Sequence, residues 1–262
     1  MPQSTPIHIA VLDLYDGSAN VGLGCIMDIL ENWSNKYAVE IVTTVFDVRT
    51  KNELPKDDYD LYLSSGGPGS PIDTEKLQWD IDYCNWLDQM FAQNKPVLLI
   101  CHSFQIACRH FGIGKVGLRK SKQLGILPIH PTSSHSIFEQ LPDPFFALES
   151  RLYQITEPND EKIELMGATI IALEKIRPQL PYERALMGVA FSKWMIGVQF
   201  HPEATKERLL TYFNTESIKS AVLNDFSEDK WNQIIQSLED DSKIKHTCNK
   251  FIPNFLNQML HV

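Results

Sequence analysis

No stretch of apolar residues in this chain comes near the roughly 20 needed to cross a bilayer. The longest runs, Ile7 to Leu12 and Pro96 to Cys101, are a fraction of that length, so no membrane partner is expected. Positive charge is scarce as well, with 24 Lys and Arg against 33 Asp and Glu, a formal charge of −9. Affinity for nucleic acid is driven by Lys and Arg displacing counterions from phosphates, so nucleic acid is not an expected partner either. Cysteine is sparse: Cys25, Cys84, Cys101, Cys108 and Cys248 are odd in number and irregularly spaced. That argues against a disulfide framework and for reduced thiols, at least one of them free to react. Met1 to Pro6 carry no basic stretch ahead of an apolar core, so no secretory signal is read and a cytoplasmic location is the expectation.

What is present is ordinary for a folded protein. An apolar fraction of 43% and a charged fraction of 22% over 262 residues suit one large α/β domain, or a medium domain with an appendage. Ile7 to Asp13 reads as a buried parallel strand, followed by a loop to Gly24, a helix from Cys25 to Trp33 and a strand from Val39 to Phe46. A short buried strand from Tyr59 to Leu63 runs into S-S-G-G-P-G-S. Apolar residues at three- and four-residue intervals predict a helix over Glu75 to Asn94. Strand Pro96 to Ile100 then stops at Cys101, where a helix to Phe111 begins.

This alternation predicts a mainly parallel sheet with helices on both faces, flavodoxin-like, with ligands at the carboxyl ends of its strands. Between Gly112 and Pro181 shorter strands (Gly125 to Ile129, Ala147 to Ile155, Ala168 to Leu173) read as small antiparallel additions. Trp194 to Phe200 is a strong strand that delivers His201-Pro202-Glu203. Beyond it the chain turns helical and charged, with helices expected over Lys206 to Phe213, Thr215 to Asn224, Glu228 to Leu238 and Thr247 to Leu260. The expected division is a domain over residues 1–205 and a helical C-terminal extension over 206–262 packed on it.

Three segments carry chemistry. In P-V-L-L-I-C-H-S-F-Q, Cys101 sits at a strand-to-helix turn, where a helix amino end and nearby N–H groups favour the thiolate that attacks. Alone, it reads equally as a buried structural thiol. In G-V-Q-F-H-P-E, residues 197–203, His201 and Glu203 are two apart, so extended backbone sends both side chains the same way. A carboxylate beside an imidazole fixes its tautomer and stabilises its charged form, as a general base requires. Alone, that is a turn after a strand. The glycines of residues 64–70 allow backbone N–H groups to approach a carbonyl oxygen, and without a following lysine the segment is no phosphate loop. Alone, it is a tight turn.

Together, in this order, the three segments resemble the class I glutamine amidotransferases over about residues 7 to 205. The resemblance implies attack by Cys101 on the side-chain amide of glutamine, with His201 and Glu203 completing a triad. Ammonia is released for a separate synthase chain, and water hydrolyses the resulting cysteine thioester. It also implies oxyanion donors at the backbone N–H groups of Gly67 and His102, and a substrate contact at Gln105.

The chain departs from the family pattern at Leu99 and Ser103, where glycines are usual. It departs again in E-S-R-L-Y-Q, residues 149–154, where the family has a serine-histidine-glycine-aspartate type of segment against glutamine's α-groups. Ser150 and Arg151 are the candidate substrate contacts there, Arg151 being equally readable as a solvated surface residue. A glutamine relative or other γ-glutamyl compound is therefore also a candidate substrate. The competing functions are a catalytically altered homologue that binds a metabolite or partner, and a γ-glutamyl peptide hydrolase. His130 and His135 lack a ligand cluster, so no metal is assigned, and no ATP-binding fingerprint or other cofactor motif is found.

Overall fold

The computed structural model describes residues 5–262 apart from residue 19 and residues 177, 178 and 180–183. Nine strands form one sheet in the order β2-β1-β3-β4-β9-β8-β7-β5-β6. Strands β1 (Ile7–Asp13), β2 (Ile41–Asp47), β3 (Leu61–Ser64), β4 (Val97–Ile100) and β9 (Met195–Val198) are mutually parallel. Strands β5 (Lys115–Pro131), β6 (Phe145–Thr156), β7 (Thr169–Leu173) and β8 (Leu186–Ala190) extend the sheet in antiparallel fashion. The expected α/β architecture, parallel with antiparallel additions, is therefore observed. The additions are larger than expected. β5 is 17 residues long and continues well before Gly125, and β8 and helix α4 (Asp160–Met166) were not foreseen.

Every residue of β3 and of β4 is buried, as strands covered on both faces require. Helix α1 (Gly22–Tyr37) presents Cys25, Ile26, Ile29, Leu30 and Trp33 to one core, which also holds Ile9, Val11, Leu63, Leu98 and Ile100. Helix α2 (Gln78–Ala92) and α3 (His102–Phe111) cover the opposite face with Trp79, Tyr83, Trp86, Phe104 and Ile106. Leu99, in the position where the family carries glycine, is wholly buried in this second core. Its neighbour across the sheet is Gly197, and a Cβ there would stand 2.4 Å from Phe104 Cδ2. The side chain missing from β9 makes room for the ring of Phe104, and Leu99 completes the same layer.

After β9 come α5 (Lys206–Phe213), α6 (Glu216–Asp225), α7 (Glu228–Glu239) and α8 (Ile244–Leu260). Helices α5 to α7 build a third core with Leu124, Ile126 and Leu148 of β5 and β6. Helix α8 does something different: its Phe251, Ile252, Phe255 and Leu256 belong to the main core with β1, β3 and β4. Asn257 of α8 accepts a 2.8 Å bond from the Trp33 indole of α1. Among the described residues, no helix is long and apolar enough to cross a membrane.

Candidate active site

Because β1, β3, β4 and β9 run parallel, their carboxyl ends open on one edge of the sheet, and the three chemistry-bearing segments leave from there. Cys101 follows β4 directly and holds φ 51°, ψ −96°, a strained conformation for a residue with a side chain. Its N–H is anchored to Val198 O at 2.7 Å, which ties the turn to β9. Ser103, the second departure from the family pattern, acts as a staple: its hydroxyl accepts from Ile100 N at 2.8 Å and lies 3.0 Å from Ser64 O.

His201 and Glu203 leave β9 on the same side, and His201 Nδ1 lies 2.8 Å from Glu203 Oε1. The His201 backbone N–H donates to Leu148 O at 2.9 Å, fixing the segment against β6. Burial disfavours charge on the His201 ring. The Glu203 carboxylate and the hydrogen-bonded Cys101 sulfur override it, holding the imidazole well above its ordinary pKa. Sulfur, imidazole and carboxylate thus form the connected row expected of them.

The glycine turn closes the other side. A Cβ on Gly66 would approach His201 Cε1 at 2.9 Å, and one on Gly67 would stand 2.2 Å from Leu14 O. Only a residue without a side chain fits at Gly67. The turn is braced by Arg49, which donates to Pro68 O at 2.6 Å and to Leu14 O at 3.3 Å. The His102 N–H opens the first turn of α3, where helical bonding leaves donors unpaired. Its side chain points into the protein, where burial and the nearby Arg49 hold the imidazole neutral with a pKa of about 3.

A cavity of about 330 Å³ opens at this constellation, lined by Gly67, Cys101, Ser150, His201 and Glu203 among others. Gln105 and Arg151, both expected to contact substrate, lie outside that lining. Gln105 is buried and donates to Gln199 Oε1 at 3.1 Å. Arg151 is neither solvated nor at the cavity. Strand alternation turns Ser150 one way and Arg151 the other, onto Glu149 at 2.8 Å and Glu174 at 3.5 Å.

Two residues not singled out for chemistry join the site. Gln199 Nε2 donates to Cys101 Sγ at 3.6 Å, and Gln199 is wholly buried. Tyr15, after β1, lines the cavity, and burial together with the charge of Glu203 raises its phenol well above the ordinary value. A signal for Gln199 was present: extended alternation puts residues 199, 201 and 203 on one side. Among the described residues no group of three His, Cys, Asp or Glu could hold a metal ion.

A family model for glutamine amidotransferase class-I matches residues 29–219. The chain belongs to this family. Among relatives of the class I glutamine amidotransferases, anthranilate synthase component 2 of Lactococcus lactis subsp. lactis is 33% identical over 147 residues, covering 55% of this chain and 65% of that protein. The glutamine-hydrolyzing GMP synthase of Chlorobaculum tepidum is 26% identical over 175 residues, 63% of this chain and 30% of that protein. The aligned region thus spans less than two thirds of either relative. In fold, a glutamine amidotransferase from Thermotoga maritima superimposes with a TM-score of 0.74 at 16% identity, covering 99% of this chain and all of that one. One from Methylobacillus flagellatus gives 0.67 at 16% identity, covering 98% and 94%. The amidotransferase architecture in those two structures therefore extends through the region of the C-terminal helices.

Proposed function

We propose that this class I glutamine amidotransferase homologue hydrolyses the side-chain amide of glutamine, or of a γ-glutamyl relative, through a thioester on Cys101. The observation that carries the reading is the row of Cys101, His201 and Glu203, with Nδ1 and Oε1 2.8 Å apart, opening into a cavity beside Gly67. His201 takes the thiol proton as sulfur attacks the γ-carbonyl carbon. The oxyanion meets the backbone N–H groups of Gly67 and His102, and the proton passes from His201 to the departing nitrogen. Water, activated by the same imidazole, then cleaves the thioester to glutamate. Removing one oxyanion donor from such a site costs on the order of a hundredfold or more in rate.

The relative named anthranilate synthase component 2 supports a separate synthase chain as the taker of the ammonia. A second reading, a binding homologue without turnover, is favoured by Gln105 and Arg151 being engaged within the protein. Incubating the purified chain with glutamine separates the two. Hydrolysis predicts ammonia release that falls at least about a thousandfold in Cys101→Ala. Equal release from both proteins, or none from either, contradicts it.

A further inference from the structure

We infer that the same cavity also accepts γ-glutamyl amides whose nitrogen carries an apolar group. The inference rests on the hydrolytic reading of Cys101 above and adds a class of leaving group to it. At about 330 Å³ the cavity falls at the small end of ligand sites, which run roughly 300–1,000 Å³. Its walls are divided by chemistry. Glycine turn, sulfur, imidazole and carboxylate stand at one end, while Leu124, Leu148, Leu209, Phe213, Val222 and Phe226 build an apolar wall from β5, β6 and helices α5 and α6 with their flanking residues. Lys122 and Asp225 also line the cavity, as a half-exposed ion pair 2.7 Å apart.

The backbone says which side of the sulfur this wall occupies. Leu148 is the antiparallel bridge partner of His201, and directly opposed residues turn their side chains to the same face. Ala204, also on the lining, donates its N–H to His201 O at 3.4 Å, and α5 with Leu209 and Phe213 follows within a few residues. The apolar wall therefore begins beside the imidazole. That is where a leaving nitrogen must lie, because His201 gives it its proton. Ammonia leaving from free glutamine makes no use of such a wall, whereas an alkyl or aryl substituent on the nitrogen gains by burial against it.

The chemistry balances without a further reactant. Sulfur forms a C–S bond to the γ-carbonyl carbon, and the C–N bond breaks with its electron pair on nitrogen. His201 returns the thiol proton to that nitrogen, and a primary amine departs. Water then adds to the thioester carbon, the C–S bond breaks, glutamate leaves, and the water's second proton restores the thiol through His201.

The test is glutamate release by the purified chain from glutamine and from γ-glutamyl methylamide, n-butylamide, n-propylamide and 2-hydroxyethylamide, with Cys101→Ala as blank. The inference expects kcat/KM to rise about tenfold or more from methylamide to butylamide, and the propylamide to exceed the near-isosteric hydroxyethylamide by about tenfold. In Val222→Trp, which fills the wall, the butylamide-to-methylamide ratio collapses towards one. A flat or falling series with Cys101-dependent hydrolysis of glutamine intact overturns the inference and leaves the hydrolytic reading standing. An undiminished ratio in Val222→Trp overturns the assignment to this wall. No Cys101-dependent glutamate from any compound overturns both.

Discussion

At Cys101 the backbone sits at a positive φ that costs on the order of 1–3 kcal/mol for a residue with a side chain. The cost is met by neighbours that leave the turn little alternative: the anchor to Val198 O, the Ser103 staple and the burial of Leu99. Beside it, Glu203 is the principal group raising the pKa of His201 against burial. In Glu203→Gln that support is lost, so the imidazole titrates at lower pH, measurable by NMR on ring-labelled histidine, and kcat/KM for glutamine falls by about 10²–10⁴. The sign for stability follows. A raised histidine pKa stabilises the fold fully below the unfolded value near 6.5 and loses that contribution as pH rises through the folded value. In Glu203→Gln the loss moves to lower pH, and an unchanged titration contradicts the account. At this scale the triad was legible because residue type and spacing carry its chemistry. The side-chain partners of Gln105 and Arg151 were not, because they come from distant strands: Gln199 in one case, Glu174 and Met187 in the other.

Elements divide by how much apolar surface they bury. Strands β1, β3, β4 and β9 read directly from the chain because both faces are covered and nearly every residue is apolar. Helix α4 buries none of its residues and so leaves no periodic signal. The first half of β5, K-V-G-L-R-K-S-K-Q, pairs only with β6 and stays largely polar, which hides it from a hydrophobic pattern. Helix α8 is the case where the expected division at residue 205 is most exposed to test, since Phe251 packs on Phe138, Phe145 and Phe200. Phe251→Ala is expected to destabilise the whole molecule by about 3–5 kcal/mol in chemical denaturation, with one transition. A tail that melts separately while the sheet stays folded contradicts this placement.

At the scale of the whole molecule, four parallel strand ends supply the site's floor, and β5, β6 and the C-terminal helices supply a wall. The fold thus brings residues about a hundred positions apart to one edge, with Cys101 and His201 facing each other beside Gly66. The central claim is that this arrangement makes the Cys101 sulfur a nucleophile towards γ-glutamyl groups. The most direct measurement is peptide mass mapping after treating the intact chain with a γ-glutamyl electrophile that traps the acylated sulfur. The account predicts one added group on the peptide holding Cys101, none on Cys25 or Cys108, and loss of labelling in His201→Ala. Labelling that is absent, spread over the other cysteines, or unchanged in Cys101→Ala contradicts it.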